Sequence, residues 1–145
     1  MAGRFKQGWF TPKHPDKYVG DPTKIRYMSS WEYKTDVFLD NNPNILKWSS
    51  EEIIIPYIKP TDNRIHRYFP DYWVQYRNRR GQIVQEIWEV KPAKEKRRSR
   101  SRNPKTKLYE DVTFAINQAK WAAAKQYCDK YGWTFRIMTE KDIFR

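Results

Sequence analysis

Apolar and polar positions change rhythm several times along the chain. Residues 1–28 have no period: Pro12, Pro15, Gly20 and Pro22 punctuate charged and aromatic residues, which predicts an irregular arm lying across the surface. Trp31, Thr35, Phe38 and Leu39 then recur at helical spacing, so a helix with one buried stripe is expected over 31–41. Ser29 or Ser30 would cap it, and Asn41-Asn42-Pro43 would stop it. A short helical turn is expected near 44–48. Residues 51–58, Glu-Glu-Ile-Ile-Ile-Pro-Tyr-Ile, form a β-branched run too short for a helix and broken by Pro56, and predict a first strand. Two further runs, 67–76 and 83–91, are rich in Tyr, Trp, Val and Ile. The segment Asn78-Arg79-Arg80-Gly81 separates them, as in an antiparallel hairpin. Leu108, Val112, Ala115, Ala119, Ala122 and Ala123 share one side of a helix expected over 108–130, with Gly132 as its stop. Residues 133–139 alternate as a last strand, and 141–145 form a tail.

Helix, three antiparallel strands, helix, strand is an α/β sandwich with one small mixed sheet flanked by helices. That is the core order of restriction-endonuclease-like folds. A chain of 145 residues is expected to make one domain, here 29–145 behind the 1–28 arm. Seven Trp, ten Tyr and seven Phe predict an aromatic-rich core in which Trp48, Trp121 and Trp133 are packing residues. No apolar run approaches the roughly 18 residues of a membrane span, and the first ten residues lack the apolar centre of a signal peptide. A soluble, unexported protein is expected. Cys128 stands alone and His14 and His66 are the only histidines, so neither a disulfide framework nor a Cys- or His-rich metal site is available. Any metal would be held by carboxylates, which favours Mg²⁺ or Mn²⁺. Twenty-nine Lys and Arg against seventeen Asp and Glu leave a net charge of +12, whose simplest partner is a polyanion.

The candidate chemistry lies on the hairpin. Asp71 follows Pro70 near the start of one strand, and Glu89-Val90-Lys91 closes the next. Two acidic oxygens can bind Mg²⁺, while a lysine on the same strand face can orient water beside a phosphodiester and stabilise the charge that develops. Glu32-Tyr33-Lys34 matches the same Glu-x-Lys spacing, so the pattern alone is cheap, and ordinary solvent-facing charge is its rival. Register decides between them. A three-residue loop with Gly81 left-handed sets Asp71 opposite Glu89, whereas a two-residue turn at Arg79-Arg80 pairs Asp71 with Trp88 and spoils the site. Glu32 has two readings: a capping box with Ser29, or a carboxylate reaching a metal from the helix start.

Between Lys91 and Lys107 stand nine Lys or Arg and one Glu, so a mobile basic loop is expected over 92–107. A solvated linker and a localisation signal are alternatives. Its place directly after the hairpin favours a phosphate clamp made of Lys94, Lys96, Arg97, Arg98, Arg100, Arg102, Lys105 and Lys107. Gln118 and Lys120 on the following helix are within reach of the site, although a plain surface helix explains both.

A longer pattern is more specific. Lys17-Tyr18-Val19-Gly20-Asp21-Pro22, Ile25-Arg26-Tyr27-Met28-Ser29-Ser30-Trp31-Glu32, Arg67-Tyr68-Phe69-Pro70-Asp71, Glu89-Val90-Lys91-Pro92 and 135–140 resemble the head-completion nuclease family of T-even-like tailed phages. The resemblance spans about residues 9–142. It implies a restriction-endonuclease-like fold, related in plan to the endonuclease subunit of Tn-type transposases, and Mg²⁺-dependent cutting of double-stranded DNA. It also implies a role in trimming or guarding the packaged DNA end before neck and tail attach. Portal or neck proteins would be its partners, first in the host cytoplasm and then in the virion head. By position, Glu32, Asp71, Glu89 and Lys91 match the family's site, which moves Glu32 from cap to site residue. Met28 stands where an arginine is expected, and the basic loop exceeds expectation. A head protein that grips the DNA end and portal without cutting is the competing reading, and an RNA-binding protein is a second.

Overall fold

The computed structural model describes residues 7–91 and 100–143. Helix α1, Ser30–Asn41, starts where the sequence places it. Ser29 is extended, and its Oγ accepts a hydrogen bond from the Glu32 N–H at 3.2 Å. Its C-terminal end is closed by a distant residue: Lys17 Nζ donates to the carbonyls of Leu39, Asp40 and Asn42 at 2.9, 2.9 and 3.0 Å. Asp40 returns the contact by accepting from the Lys13 and His14 N–H groups at 2.7 and 3.0 Å.

The N-terminal segment is therefore not an irregular arm. Strands β1 (Gly8–Phe10) and β2 (Ile25–Tyr27) pair antiparallel, and Phe10, Tyr18 and Ile25 are buried beside Trp48. The buried face of α1 also differs from expectation. Thr35, Asp36, Leu39 and Asp40 are inside while Phe38 is exposed, because both aspartates find hydrogen-bond donors there.

Strands β3 (Ile45–Ser50), β6 (Tyr72–Arg77), β7 (Ile83–Val90) and β8 (Thr134–Met138) make the central sheet in the order β3-β6-β7-β8. The first three are antiparallel and β8 runs parallel to β7, so the sheet is mixed as expected. Its first strand is not the expected 51–58. The helical turn expected near 44–48 is instead the start of β3; a register shift between Ile45 and Lys47 breaks the alternation that would have marked the strand. Glu51 then turns the chain at φ 55°. Strand β4 (Ile55–Lys59) pairs with β5 (Arg64–Tyr68) in a separate two-stranded ribbon. The run 67–76 is thus two strands, split at Phe69-Pro70-Asp71.

Helix α2, Pro104–Tyr131, begins earlier than expected, because Asn103 Oδ1 accepts from the Lys105 and Thr106 N–H groups at 3.0 and 3.2 Å. Residues 104–107, assigned to the basic loop, are its first turn. Its buried residues are Asn117, Trp121, Ala124 and Cys128; of the expected side Ala119 and Ala123 pack against them half-buried, while Leu108, Val112, Ala115 and Ala122 are exposed. The helix ends at Gly132, left-handed at φ 73°. A last short helix, α3, spans Glu140–Ile143. Leu39, Trp48, Tyr72, Val74 and Trp88 pack in one hydrophobic cluster, while Ile55, Tyr57, Tyr68, Ile87, Trp121 and Cys128 pack in another. Alternation along β7, with Ile87 in one cluster and Trp88 in the other, divides them between the two sides of the sheet. Among the described residues no helix is long and apolar enough to cross a membrane.

Candidate active site

The site is built by the β6–β7 turn. Asn78 N–H donates to the Gln82 carbonyl at 2.9 Å, Gly81 N–H donates to the Asn78 carbonyl at 3.0 Å, and Gly81 sits at φ 77°. This is the three-residue loop with a left-handed glycine. The ladder runs from Arg77 opposite Ile83 to Tyr72 opposite Trp88, and one further step brings Asp71 opposite Glu89. Pro70 precedes Asp71 in a fully buried position where no backbone N–H is left to satisfy.

Asp71 replaces ladder pairing with its side chain: Oδ2 accepts from the Val90 N–H at 2.7 Å. That bond holds the carboxylate between Glu89 and Lys91. Glu89 is 6% exposed, and its Oε1 accepts from the Tyr68 hydroxyl at 2.8 Å. Its Oε2 lies 3.7 Å from Lys91 Nζ. Lys91 is itself fixed by its N–H, which donates to the Met138 carbonyl on β8 at 3.0 Å.

These groups sense one another. Burial and then the Glu89 charge push the Asp71 carboxyl well above the usual range, against the pull of the Val90 N–H. Burial raises Glu89 too, opposed chiefly by Lys91 and the Tyr68 hydroxyl. Glu32 is raised by burial, opposed by the Met28 N–H, which donates to its Oε1 at 3.3 Å, and raised further by Glu51. Lys120 is no plain surface residue. Burial lowers it and the Glu89 charge raises it, and its Nζ lies 5.9 and 5.6 Å from the ring centres of Tyr57 and Tyr68.

Asp71, Glu89, Lys91 and Lys120 therefore come together. Glu32 enters their field, since both Asp71 and Glu89 interact electrostatically with it, yet its hydrogen bonds are those of a helix cap. Among the described residues no three Asp, Glu, His or Cys side chains stand close enough to share one ion. Two adjoining buried carboxylates with a mutual repulsion, only partly offset by Lys91, remain a hard-oxygen donor pair suited to Mg²⁺ or Mn²⁺. The residues fit such an ion.

Sequence reasoning missed three participants. Tyr68 orients Glu89, and its only signal was its place in the Arg67–Asp71 segment. Glu51 donates its N–H to the Asp71 carbonyl at 3.0 Å, and burial raises its carboxyl. Asp36, 1% exposed, bonds the Tyr72 hydroxyl at 2.7 Å, and burial pushes it up to about 8. Of the expected phosphate clamp, Lys94, Lys96, Arg97 and Arg98 lie outside the described residues. Arg100, Arg102, Lys105 and Lys107 are exposed, with Lys107 Nζ 3.1 Å from Asp111 Oδ2. Gln118 lines a groove with Trp121, Trp133 and Phe135.

A family model described as TnsA-like endonuclease N terminal matches residues 42–140. The head completion nuclease of Enterobacteria phage T4 is 37% identical over 142 residues, covering 94% of this chain and 92% of that protein. Glu32 is too far from either end to fall outside that span.

Proposed function

Because this chain belongs to the TnsA-like endonuclease family, we propose that it is a metal-dependent DNA endonuclease of phage head completion, with Asp71, Glu89 and Lys91 as its cutting centre. The observation that carries the reading is the Asp71 carboxylate held on the Val90 N–H at 2.7 Å within the field of the buried Glu89 carboxylate, with Lys91 Nζ 3.7 Å from Glu89. The name of the phage T4 relative, a head completion nuclease, supports a setting in virion head assembly; there the protein would trim or guard the packaged DNA end beside portal or neck proteins.

Asp71 and Glu89 would hold Mg²⁺ or Mn²⁺, with Glu32 acting through water from the start of α1. The ion supplies Lewis acidity and lowers the pKa of bound water. Each residue has a separate task. Tyr68 fixes the Glu89 carboxylate, and the Val90 N–H fixes Asp71, so neither must reorganise when DNA arrives. Lys91, loosely paired, orients the attacking water and stabilises charge on the phosphorane. Lys120 adds a second cation behind it. In-line attack would leave a 5′-phosphate.

Nicking of supercoiled plasmid tests this. Wild-type protein should nick with Mg²⁺ or Mn²⁺ and stop on chelation, while Asp71→Asn binds DNA and does not cut. Ligation of the nicked product would show the 5′-phosphate. Equal cutting by Asp71→Asn overturns the assignment. If Asp71→Asn also completes infectious heads in a complementation assay, the non-cutting head-protein reading replaces it.

A further inference from the structure

The β4–β5 ribbon has two unlike faces. Ile55, Tyr57 and Tyr68 are buried on one, where Lys120 lies over both tyrosine rings and Tyr68 reaches Glu89. The other is bare. Ile58 directly opposes Ile65, and they are 58% and 74% exposed. Pro56 opposes Arg67 on the same face, and one step beyond the ladder come Ile54 and Phe69, 47% and 41% exposed. The Arg67 guanidinium lies 5.7 Å from the centre of the Phe69 ring. Single exposed isoleucines need no explanation, but five apolar residues and one stacked arginine gathered on one ribbon face do.

Position and charge indicate the occupant. Phe69 is two residues from Asp71, and Ile65 is six residues away, at most about 20 Å along extended chain. Lys59 and Arg64 pair at the ribbon tip, one step past Ile58 and Ile65 and on the side of Tyr57 and Tyr68, and the Lys59 charge reaches Lys120 in the candidate site. The chain as a whole is strongly cationic, at +12. A duplex presents phosphates and groove edges, for which this apolar face offers little. Unpaired bases present flat apolar surfaces tethered to phosphates, which suit Phe69, Arg67 and the isoleucines with cations at the rim.

We propose that this face is a platform for single-stranded DNA, on which unpaired bases near the scissile phosphodiester lie beside Arg67, while Lys59 and Arg64 meet their phosphates at the ribbon tip. The preferred substrate would then be a frayed or tailed DNA end over continuous duplex. This inference rests on the nuclease reading for the identity of its polyanion.

The test compares a blunt duplex with the same duplex carrying an unpaired tail, measuring binding by fluorescence anisotropy in EDTA and cleavage in Mg²⁺. Stacking of a few bases predicts at least about tenfold tighter binding of the tailed substrate. Ile58→Asp with Ile65→Asp should abolish that preference. Ile65→Ala, at a position whose side chain is mostly in solvent, should weaken it in a protein with wild-type melting behaviour. Equal wild-type affinities, or a preference that survives all these changes, overturn the platform. So does a wild-type dimer, measured by light scattering, that Ile58→Asp with Ile65→Asp converts to monomer, since the face would then join two copies. Tail preference without cleavage of any substrate in any divalent metal would keep the platform and remove the nuclease, whereas nicking without tail preference would do the reverse.

Discussion

At Asp71 one side chain takes the place of a backbone partner in the strand pairing. Its Oδ2 takes the Val90 N–H at 2.7 Å, which locks the carboxylate against the Glu89–Lys91 strand end and forces two buried acids together. Lys91 is the only cation within ion-pair distance of Glu89 among the described residues, and the pair is loose at 3.7 Å. Lys91→Ala should therefore lower the nicking rate about 10²–10⁴-fold while DNA binding and metal binding persist. Single-turnover kinetics would measure it, and a loss confined to substrate affinity would contradict the role. Asp36 permits a different prediction. The Tyr72 hydroxyl has one proton and two close oxygens, the Glu32 carbonyl at 3.0 Å and Asp36 Oδ1 at 2.7 Å. The hydroxyl donates to Asp36 Oδ1, and burial pushes Asp36 up to about 8 against the pull of that bond. A free aspartate titrates near 3.9, so the folded state holds an extra proton between the two values. The stabilisation is complete below about pH 4 and is lost as pH rises toward 8, by at most about 1.4 kcal/mol per pH unit. Asp36→Asn, neutral at every pH, should flatten that slope and gain relative stability in urea unfolding at about pH 8.

The element on which the site depends is the β6–β7 hairpin, and its register rests on Gly81. A Cβ at Gly81 would meet no atom within 4 Å, so only its φ of 77° penalises a side chain. Gly81→Ala should cost about 1 kcal/mol in thermal or urea unfolding, and Gly81→Asn less, since asparagine tolerates the left-handed region. A Gly81→Val protein that keeps full stability would show that the turn does not set the register. This hairpin was legible because its signals are local: turn residues, alternation and a count of positions across the loop. The neighbouring elements were not. Strand β3 carries a register shift that erases its alternation, and the three consecutive isoleucines 53–55 give no phase from which to tell where β4 begins. The alanines mark only part of the packed side of α2: Ala119 and Ala123 join it, but Trp121 and Cys128 bury more apolar surface and set its rotation. Glu51 and Asp36 were invisible because they join the acids through a left-handed turn and through Tyr72, contacts with no spacing rule in sequence.

At the scale of the molecule, a chain of net charge +12 gathers Glu32, Asp36, Glu51, Asp71 and Glu89 into one electrostatically connected group. On the proposed reading, cations elsewhere would draw the polyanion in, and the acids at the sheet end would take a metal rather than a phosphate. With roughly five phosphates neutralised, the logarithm of the DNA association constant should fall with the logarithm of salt at a slope near −4 to −5. Replacing Lys94, Lys96, Arg97 and Arg98 by alanine should flatten the slope by about 3 to 4 if all four touch phosphates, and an unchanged slope would place the clamp elsewhere. The restriction-endonuclease-like plan read from the order of elements holds in the mixed sheet flanked by helices, while the N-terminal strands and the β4–β5 ribbon are additions that no short pattern announced. The central claim is that the two hairpin carboxylates form one metal site. Titration of Mn²⁺ followed by electron paramagnetic resonance tests it most directly. Wild-type protein should bind an ion that both Asp71→Asn and Glu89→Gln lose while keeping their fold, and undiminished Mn²⁺ binding in either variant would contradict the account.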